Sequence, residues 1–576
     1  MSSSRRIHDD VISQKASLIA LILLLIHGGL LGWISSCNAP VYDEIAHVPS
    51  GLSHWTFGTF ELYRVNPPLM RLIASVPLLV ANPKTDWSSI TYGPYSRPEF
   101  AVGRDFLRAN GKNSFWYFTI CRWAQIPVSM LGGWICYCWA RELFGPAAAL
   151  TATILWCFCP NTLAWGATIT PDIGAATFGV AASYAFWRWL KMPSWTTALI
   201  AGVTLGLAEL SKSTWIILFL IWPFVWLCWS RLQNSPISRR PSGRQLTTIT
   251  LTGLCVLNLG YRFDGTFQRL GDLKFISNTL GGPSAHNSPG NRFRGTALGT
   301  IPVPVPRDYL SGIDVQKYDF ERHNWSYLRG EHKIGGWWYY YLYALTVKTP
   351  LGTLLLLGLA CLPGVVRCDA PPRPQDILFL LIPAIAILLL VSSQQGFNRY
   401  FRYVLPAIPF IYIYASRAAT ACTNGKWLPG VLCCFCIANL ITESLAVFPH
   451  SMSFFNIAVG GPRSGPDHLL DANIDWGQDL SRLKHYVDSH PEVSPIRLAY
   501  FGFADPTLAG FPFNHLPSTA CENGSSGLEP GWYAVSINRV RGYRHSKPES
   551  AHFTCFQCIA PTEMIGYSIC IYHIAE

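Results

Sequence analysis

Apolar runs long enough to cross a bilayer recur along most of this chain, and no other feature limits its fold as tightly. In hydrocarbon every backbone N–H and C=O must be satisfied within the protein, so long, unalternated apolar runs are read as transmembrane helices. About eleven runs qualify, several of them marginally, near residues 18–37, 117–139, 147–165, 173–190, 196–210, 214–229, 246–260, 339–362, 377–392, 403–416 and 427–447. The run from Leu69 to Val80 is shorter and broken by Pro77, which suits a half-helix lying along the surface. Composition agrees: 13% of residues are charged, where a soluble globular chain carries about 25%. The first run has a core longer than a signal-peptide h-region and only a weak small-residue site at 34–37, so it is read as a retained span. The expected fold is mainly α, a polytopic transmembrane helical bundle.

Lys and Arg in the short connecting segments set the orientation. With a cytoplasmic N-terminus, fourteen of them, from Arg5, Arg6 and Lys15 through Arg239, Arg367 and Lys426, face inward, against Lys212, Arg399 and Arg402 outward. Outer loops at 38–116 and 261–338 and a tail at 449–576 then lie outside, around a transmembrane domain at 18–448. The net charge of +11 is largely this inward bias, which argues for a bilayer and not for nucleic acid.

Of the 18 cysteines, four lie in the tail: Cys521, Cys555, Cys558 and Cys570. Two disulfides in one of three pairings are expected; a zinc knuckle at Cys555 and Cys558 lacks a second CxxC. The tail reads as a small α/β domain, with an amphipathic helix over 478–489 and strands near 497–502, 532–537 and 566–572. Before that helix, DANIDWGQDL supplies Asp471, Asp475 and Asp479; Asp475 or Asp479 caps the helix, or the three acids hold a cation.

The densest chemistry follows the first span. YDEIAHVPSGLSHW places Asp43, Glu44 and His47 where the chain leaves the membrane, and RVNPPLMR adds Asn66 in a tight turn. On a helix, Asp43 and His47 share a face while Glu44 points about 100° away. Asp43 either caps that helix or acts as an acid–base group beside the imidazole. TPDIG puts Asp172 in a short loop on the same side. ELSKST interrupts an apolar stretch with Glu209 and Lys212, which either neutralise each other at i,i+3 or mark function. QQGFNRYFRYVLPAIP brings Arg399, Arg402 and Tyr403 to the outer mouth of a span, where an arginine fork suits a phosphate, although snorkelling to headgroups is the alternative. The aromatic cluster at 337–343 reads as an interfacial belt, part of which can face a sugar cleft.

The order of these motifs resembles that of GT-C type membrane glycosyltransferases, the superfamily of protein O-mannosyltransferases and lipid A aminoarabinose transferase. DWGQDL at 475–480 is similar to the tail motif of bacterial phospholipid-carrier-dependent glycosyltransferases. The resemblance covers nearly the whole chain. It implies an inverting enzyme that moves a sugar from a polyprenyl-phosphate donor to an acceptor hydroxyl on a lipid, glycan or protein at the outer membrane face. Asp43 would be the general base, with Glu44, His47 and Asp172 beside it. Lys212, Arg399 and Arg402 would meet the phosphate, with Asn66, Glu209 and Tyr403 lining the substrate. A divalent cation held by Asp43, His47 and Asp172 is an open alternative. A transporter or flippase of a lipid-linked sugar is the rival class, but it would concentrate ionisable groups near the midplane, often in two related halves.

Overall fold

The computed structural model describes residues 3–232, 240–362, 371–394, 396–423, 427–521, 524–543 and 553–575. Three residues used for the orientation, Arg239, Arg367 and Lys426, lie outside these.

Helix α1 (Ser3–Cys37) ends in a short turn that leads into α2 (Glu44–Phe57), so the Asp-Glu pair straddles a helix start. Helices α3 (Leu69–Ala81), α4 (Glu99–Asn110) and α5 (Asn113–Trp123) follow. They pack on α2 through Ile45, Val48, Ala74, Leu78 and Phe106. The backbones approach closely at Gly51 and Gly103, where a Cβ would stand 2.4 Å from the Arg71 carbonyl oxygen and 2.3 Å from that of Ile45. Any larger residue there would push α2, and with it Asp43, away from the bundle.

The bundle continues through α6 (Ile126–Phe144), α7 (Pro146–Phe158), α8 (Pro160–Gly166), α9 (Pro171–Lys191), α10 (Trp195–Ser211), α11 (Leu218–Leu232) and α12 (Gly243–Gly260). Its centre is a set of buried tryptophans, among them Trp139, Trp156, Trp187, Trp189, Trp215 and Trp222. The long second loop carries α13 (Arg307–Glu321) and the hairpin β1 (Trp325–Leu328) with β2 (Glu331–Ile334). The remaining bundle helices are Tyr340–Lys348, Leu351–Cys361, Pro374–Ser393, Ile408–Ser416 and Trp427–Val447.

Among the described residues, four helices are long and apolar enough to cross a membrane, and two sharply bent pairs raise this to six. About eleven were expected, and the difference has a physical source. Helices α6 and α9 have spanning length but end in Arg141 and Glu142 or in Arg188 and Lys191, and α12 is rich in threonine. Pro160 divides the run at 147–165 into α7 and α8, bent by 57°. The run at 403–416 is a 3-10 turn, Phe401–Ala407, followed by a nine-residue helix. The class stands as a mainly helical, polytopic bundle with a small sheet domain at its C-terminal end.

That domain is a five-stranded sheet of order β4-β3-β5-β7-β6, with β3 (Ile496–Ala499), β4 (Phe513–His515), β5 (Gly531–Ser536), β6 (Glu563–Ile565) and β7 (Ile569–Ile574). β3 is parallel to β4 and β5, while β7 is antiparallel to β5 and β6. Helix Leu480–Ser489 covers it, burying Leu480, Leu483 and Val487 against Ile496, Leu498 and Ile571. Two disulfides were expected; the structure forms one, Cys521–Cys555, and leaves Cys558 exposed and Cys570 buried as thiols. Cys570 cannot reach a partner from inside β7, where its neighbours are sheet residues.

Candidate active site

Four charged side chains from four distant segments form a continuous alternating chain. Arg402 Nη2 donates to Asp43 Oδ2 at 2.8 Å, and Arg402 Nη1 lies 3.7 Å from Asp172 Oδ2. Lys212 Nζ donates to Asp172 Oδ1 at 2.6 Å. The local backbone explains each placement. Asp172 stands in the first turn of α9, which Pro171 opens. Lys212 breaks out of α10 in an extended conformation before the 3-10 turn Ser213–Ile217. Arg402 sits in the 3-10 turn that replaces the expected start of a span. Its guanidinium carbon is 4.5, 4.6 and 5.5 Å from the ring centroids of Trp476, Tyr400 and Trp165, an aromatic cage that holds the cation off the lipid. Snorkelling is therefore not its role.

Asp43 occupies the N-cap position of α2 but makes no side-chain cap hydrogen bond, so the capping reading fails. Burial pushes its carboxyl above the ordinary carboxylate range, against the pull of Arg402 and with help from Asp471 and Asp172. His47 shares the cavity, and its Nδ1 has no hydrogen-bond partner. The imidazole lies tilted against Tyr63 with centroids 4.7 Å apart and makes no hydrogen bond to the Asp43 carboxylate. Burial, with Arg71 and Arg402 nearby, holds it well below its ordinary value and hence neutral. Asn66, at φ 64°, also lines the cavity, with its Oδ1 buried and unpartnered.

Two sequence expectations are corrected. Glu44 does not reach the cavity: it is fully buried and saturated. Its Oε1 accepts from Arg122 Nε and from the Ile169 N–H, both at 2.8 Å, and its Oε2 accepts from the Val41 N–H at 2.9 Å and from Arg122 Nη2. The same Arg122 donates to the carbonyls of Ser35, Asn38 and Ala39. This knot ties the Asp43 turn to the backbone just before Asp172. Glu209 neither neutralises Lys212 nor lines the cavity; it accepts from Tyr309 Oη at 2.7 Å, because Lys212 has turned toward Asp172.

The cavity encloses about 300 Å³. Arg399 lines it, donating from Nε to the Trp325 carbonyl at 3.1 Å, and the Tyr403 ring centroid lies 5.1 Å from Lys212 Nζ. Sequence reasoning missed Tyr42, Tyr63, Arg97, Asp319, Tyr400 and Trp476, which also line the cavity. Trp476 lies inside DWGQDL, and that motif's position was the one available signal for it. An apolar groove of about 230 Å³ adjoins the cavity, shares Lys212, Gln316, Phe320 and Tyr403 with it, and runs out along Ile216, Ile217, Leu390 and Val391.

The DWGQDL carboxylates are structural. Asp475 Oδ1 accepts from the Gly477 N–H at 3.1 Å, and Asp479 accepts from Ser568 Oγ at 2.7 Å and from Arg482. Neither caps the following helix: Asp479 stands at its N-cap without a cap hydrogen bond. Among the described residues no group of three or more His, Cys, Asp or Glu could hold a metal ion.

Comparison with known proteins matches residues 116–255 to the family of dolichyl-phosphate-mannose-protein mannosyltransferases. That segment runs from α5 to α12 and contains Asp172 and Lys212. No curated protein matches the chain. Among solved structures, ArnT from Cupriavidus metallidurans bound to undecaprenyl phosphate is 10% identical over 96% of this chain and 97% of its own, with a TM-score of 0.44. The Archaeoglobus fulgidus oligosaccharyltransferase is 13% identical over 90% and 70%, with a TM-score of 0.36. The S. cerevisiae Pmt1–Pmt2 complex is 17% identical over 43% and 32%, with a TM-score of 0.30. With its 116–255 segment matched to the mannosyltransferase family, the chain resembles the GT-C glycosyltransferases.

Proposed function

We propose that this protein is an inverting membrane glycosyltransferase that takes its sugar from a polyprenyl-phosphate carrier at the outer face of the membrane. The observation that carries this reading is the Asp43–Arg402–Asp172–Lys212 chain, whose cationic end opens onto an apolar groove. A lipid phosphate needs that combination: fixed cations for the head, and an apolar track leading from them for the tail. The acceptor hydroxyl attacks the anomeric carbon, and the bond from that carbon to the phosphate oxygen breaks. The electron pair leaves with polyprenyl phosphate, where Lys212 and Arg402 stabilise the charge, and the hydroxyl proton passes to Asp43. A carboxylate with a raised pKa is a better proton acceptor than an ordinary one, which suits Asp43 to this role. Asn66, His47 and Tyr63 line the sugar side of the cavity, and Arg399 its rim.

In this reading residues 449–576 and the loops 38–116 and 261–338 face outward, and the N-terminus is cytoplasmic. A reporter active only outside the cytoplasm will work when fused after Glu576 and fail after Ser242. The function itself is tested by incubating purified protein with polyprenyl-phosphate sugars and following release of polyprenyl phosphate by mass spectrometry. Movement of the lipid-linked sugar between leaflets of proteoliposomes without that release would make the protein a flippase instead.

A further inference from the structure

A second cavity, of about 420 Å³, lies back to back with the first, and nothing in the proposed transfer uses it. One layer of chain separates the two. Along residues 61–66, Tyr63 and Asn66 face the first cavity while Glu61 and Arg64 face the second; along 96–98, Arg97 faces the first while Ser96 and Pro98 face the second. The far wall comes from residues 268–274 and from the start of α13.

The lining is balanced in charge. Glu61, Asp272 and Asp308 stand against Arg64, Lys274 and Arg307, three acids to three bases. A phosphate would meet the carboxylates and a divalent cation would meet the bases. What the wall offers is donors and acceptors in mixture, and several remain unused by the protein. Arg64 is anchored through Nη2 alone, which donates to the Gly93, Pro94 and Ser96 carbonyls at 3.1, 2.9 and 3.0 Å, so Nε and Nη1 remain available. Asp308 is 3% exposed, and its Oδ2 has no hydrogen-bond partner. Asp272 and Lys274 form no side-chain hydrogen bond or ion pair among the described residues. The Tyr92 ring, 65% exposed, lies at the same wall beside Pro94.

We propose that this cavity binds a neutral oligosaccharide. Hydroxyls both donate and accept, so they match a charge-balanced wall of mixed groups, and the C–H faces of a sugar ring stack on an exposed tyrosine. The volume falls within the range of about 300 to 1,000 Å³ usual for small-molecule sites. Provided that the first cavity is a glycosyl-transfer site, the oligosaccharide is the acceptor chain, held by its distal sugars while its reacting end lies over the Tyr63–Asn66 wall.

The test uses the full-length protein in detergent, an array of neutral glycans, and saturation-transfer NMR on the glycans that bind. At least one neutral glycan will bind. Tyr92→Ala combined with Asp272→Asn will weaken it at least tenfold, and Ser311→Trp, which fills the cavity, will abolish binding. Polyprenyl phosphate release in the absence of acceptor will be unchanged in both variants. Absence of binding across the array, preference for sulfated or phosphorylated glycans, or binding insensitive to these substitutions overturns the proposal. Glycan binding that obeys the variants in a protein that never cleaves donor leaves this site intact and removes only the transfer reading.

Discussion

Replacing Asp43 with Asn separates chemistry from architecture more cleanly than any other substitution in this protein. The side chains are isosteric, and since Asp43 makes no cap hydrogen bond, no helix cap is lost. An amide oxygen still receives Arg402 Nη2 at the 2.8 Å site, so an ion-paired hydrogen bond becomes one between a cation and a neutral acceptor. Charged hydrogen bonds contribute about 1.5–3 kcal/mol and ordinary ones about 1 kcal/mol. Arg402 also keeps Asp172 at 3.7 Å and its aromatic cage. The stability change is therefore under about 2 kcal/mol, whereas loss of a general base lowers turnover about 10²- to 10⁴-fold. The assay is polyprenyl phosphate release at saturating donor and acceptor, run beside thermal unfolding in the same detergent. The wild-type profile carries a second signature. Burial raises the Asp43 pKa and the carboxylate is the active form, so turnover rises with pH through that raised value, and the rise disappears in Asp43→Asn. A variant that keeps more than about a hundredth of wild-type turnover, where at least a hundredfold loss is required of a base, refutes the assignment.

Lys212→Met removes the cation shared by the cavity and the groove and leaves Asp172 with Arg402 alone; donor KM will rise about ten- to a hundredfold, the equivalent of one charged hydrogen bond, while kcat changes less. Glu44→Gln will lower folded yield and unfolding temperature, because Arg122 then keeps a buried charge without its counter-ion, a loss on the order of 3–5 kcal/mol; adding Arg122→Met will recover part of it. Asp475 is fully buried, and burial pushes its carboxyl up to about 7, so the folded protein holds a proton that an unfolded chain gives up near pH 4. Stability will therefore fall as pH rises from about 4 to about 7, and the unfolding midpoints of Asp475→Asn will lack this component.

The membrane class was plain from apolar run length, since 20 residues at 1.5 Å each cross about 30 Å whatever they pack against. The number of spans was not, because polar groups along and at the ends of these helices are satisfied locally. Thr247, Thr248 and Thr250 of α12 donate to carbonyls four residues back on the same helix, and at the exposed ends of α6 and α9 Arg188 lies 3.7 Å from Glu142. The tail helix and three of its strands were legible through periodicity, but β4 and β6, three residues each, are too short to show a period. The second disulfide failed for a similar reason: counting cysteines pairs them, while a cysteine facing inward from a central strand has no partner to meet.

At the candidate site the sequence identified charges but could not pair them. Asp43 and Arg402 are 359 residues apart, and Asp172 and Lys212 are 40 apart, so of the two alternatives open for Lys212, a pair with nearby Glu209 or a functional role, the local pair is the one the structure removes. The Asp43–Glu44 pair shows what decides between two adjacent acids. They point about 100° apart, so only one can face the cavity, and helical geometry does not say which. Arg122 decides it. With its five N–H groups spent on Glu44 and three carbonyls, it fixes that carboxylate inside the protein, where no substrate can reach it. Asp43 shares Arg402 with Asp172 and keeps 20% of its side chain exposed. A carboxylate whose counter-ion is shared can release it to an arriving phosphate, and a carboxylate whose counter-ion is fully committed cannot. That difference assigns Glu44 to holding the Asp43 and Asp172 segments in register and, under the transfer we propose, leaves the proton to Asp43.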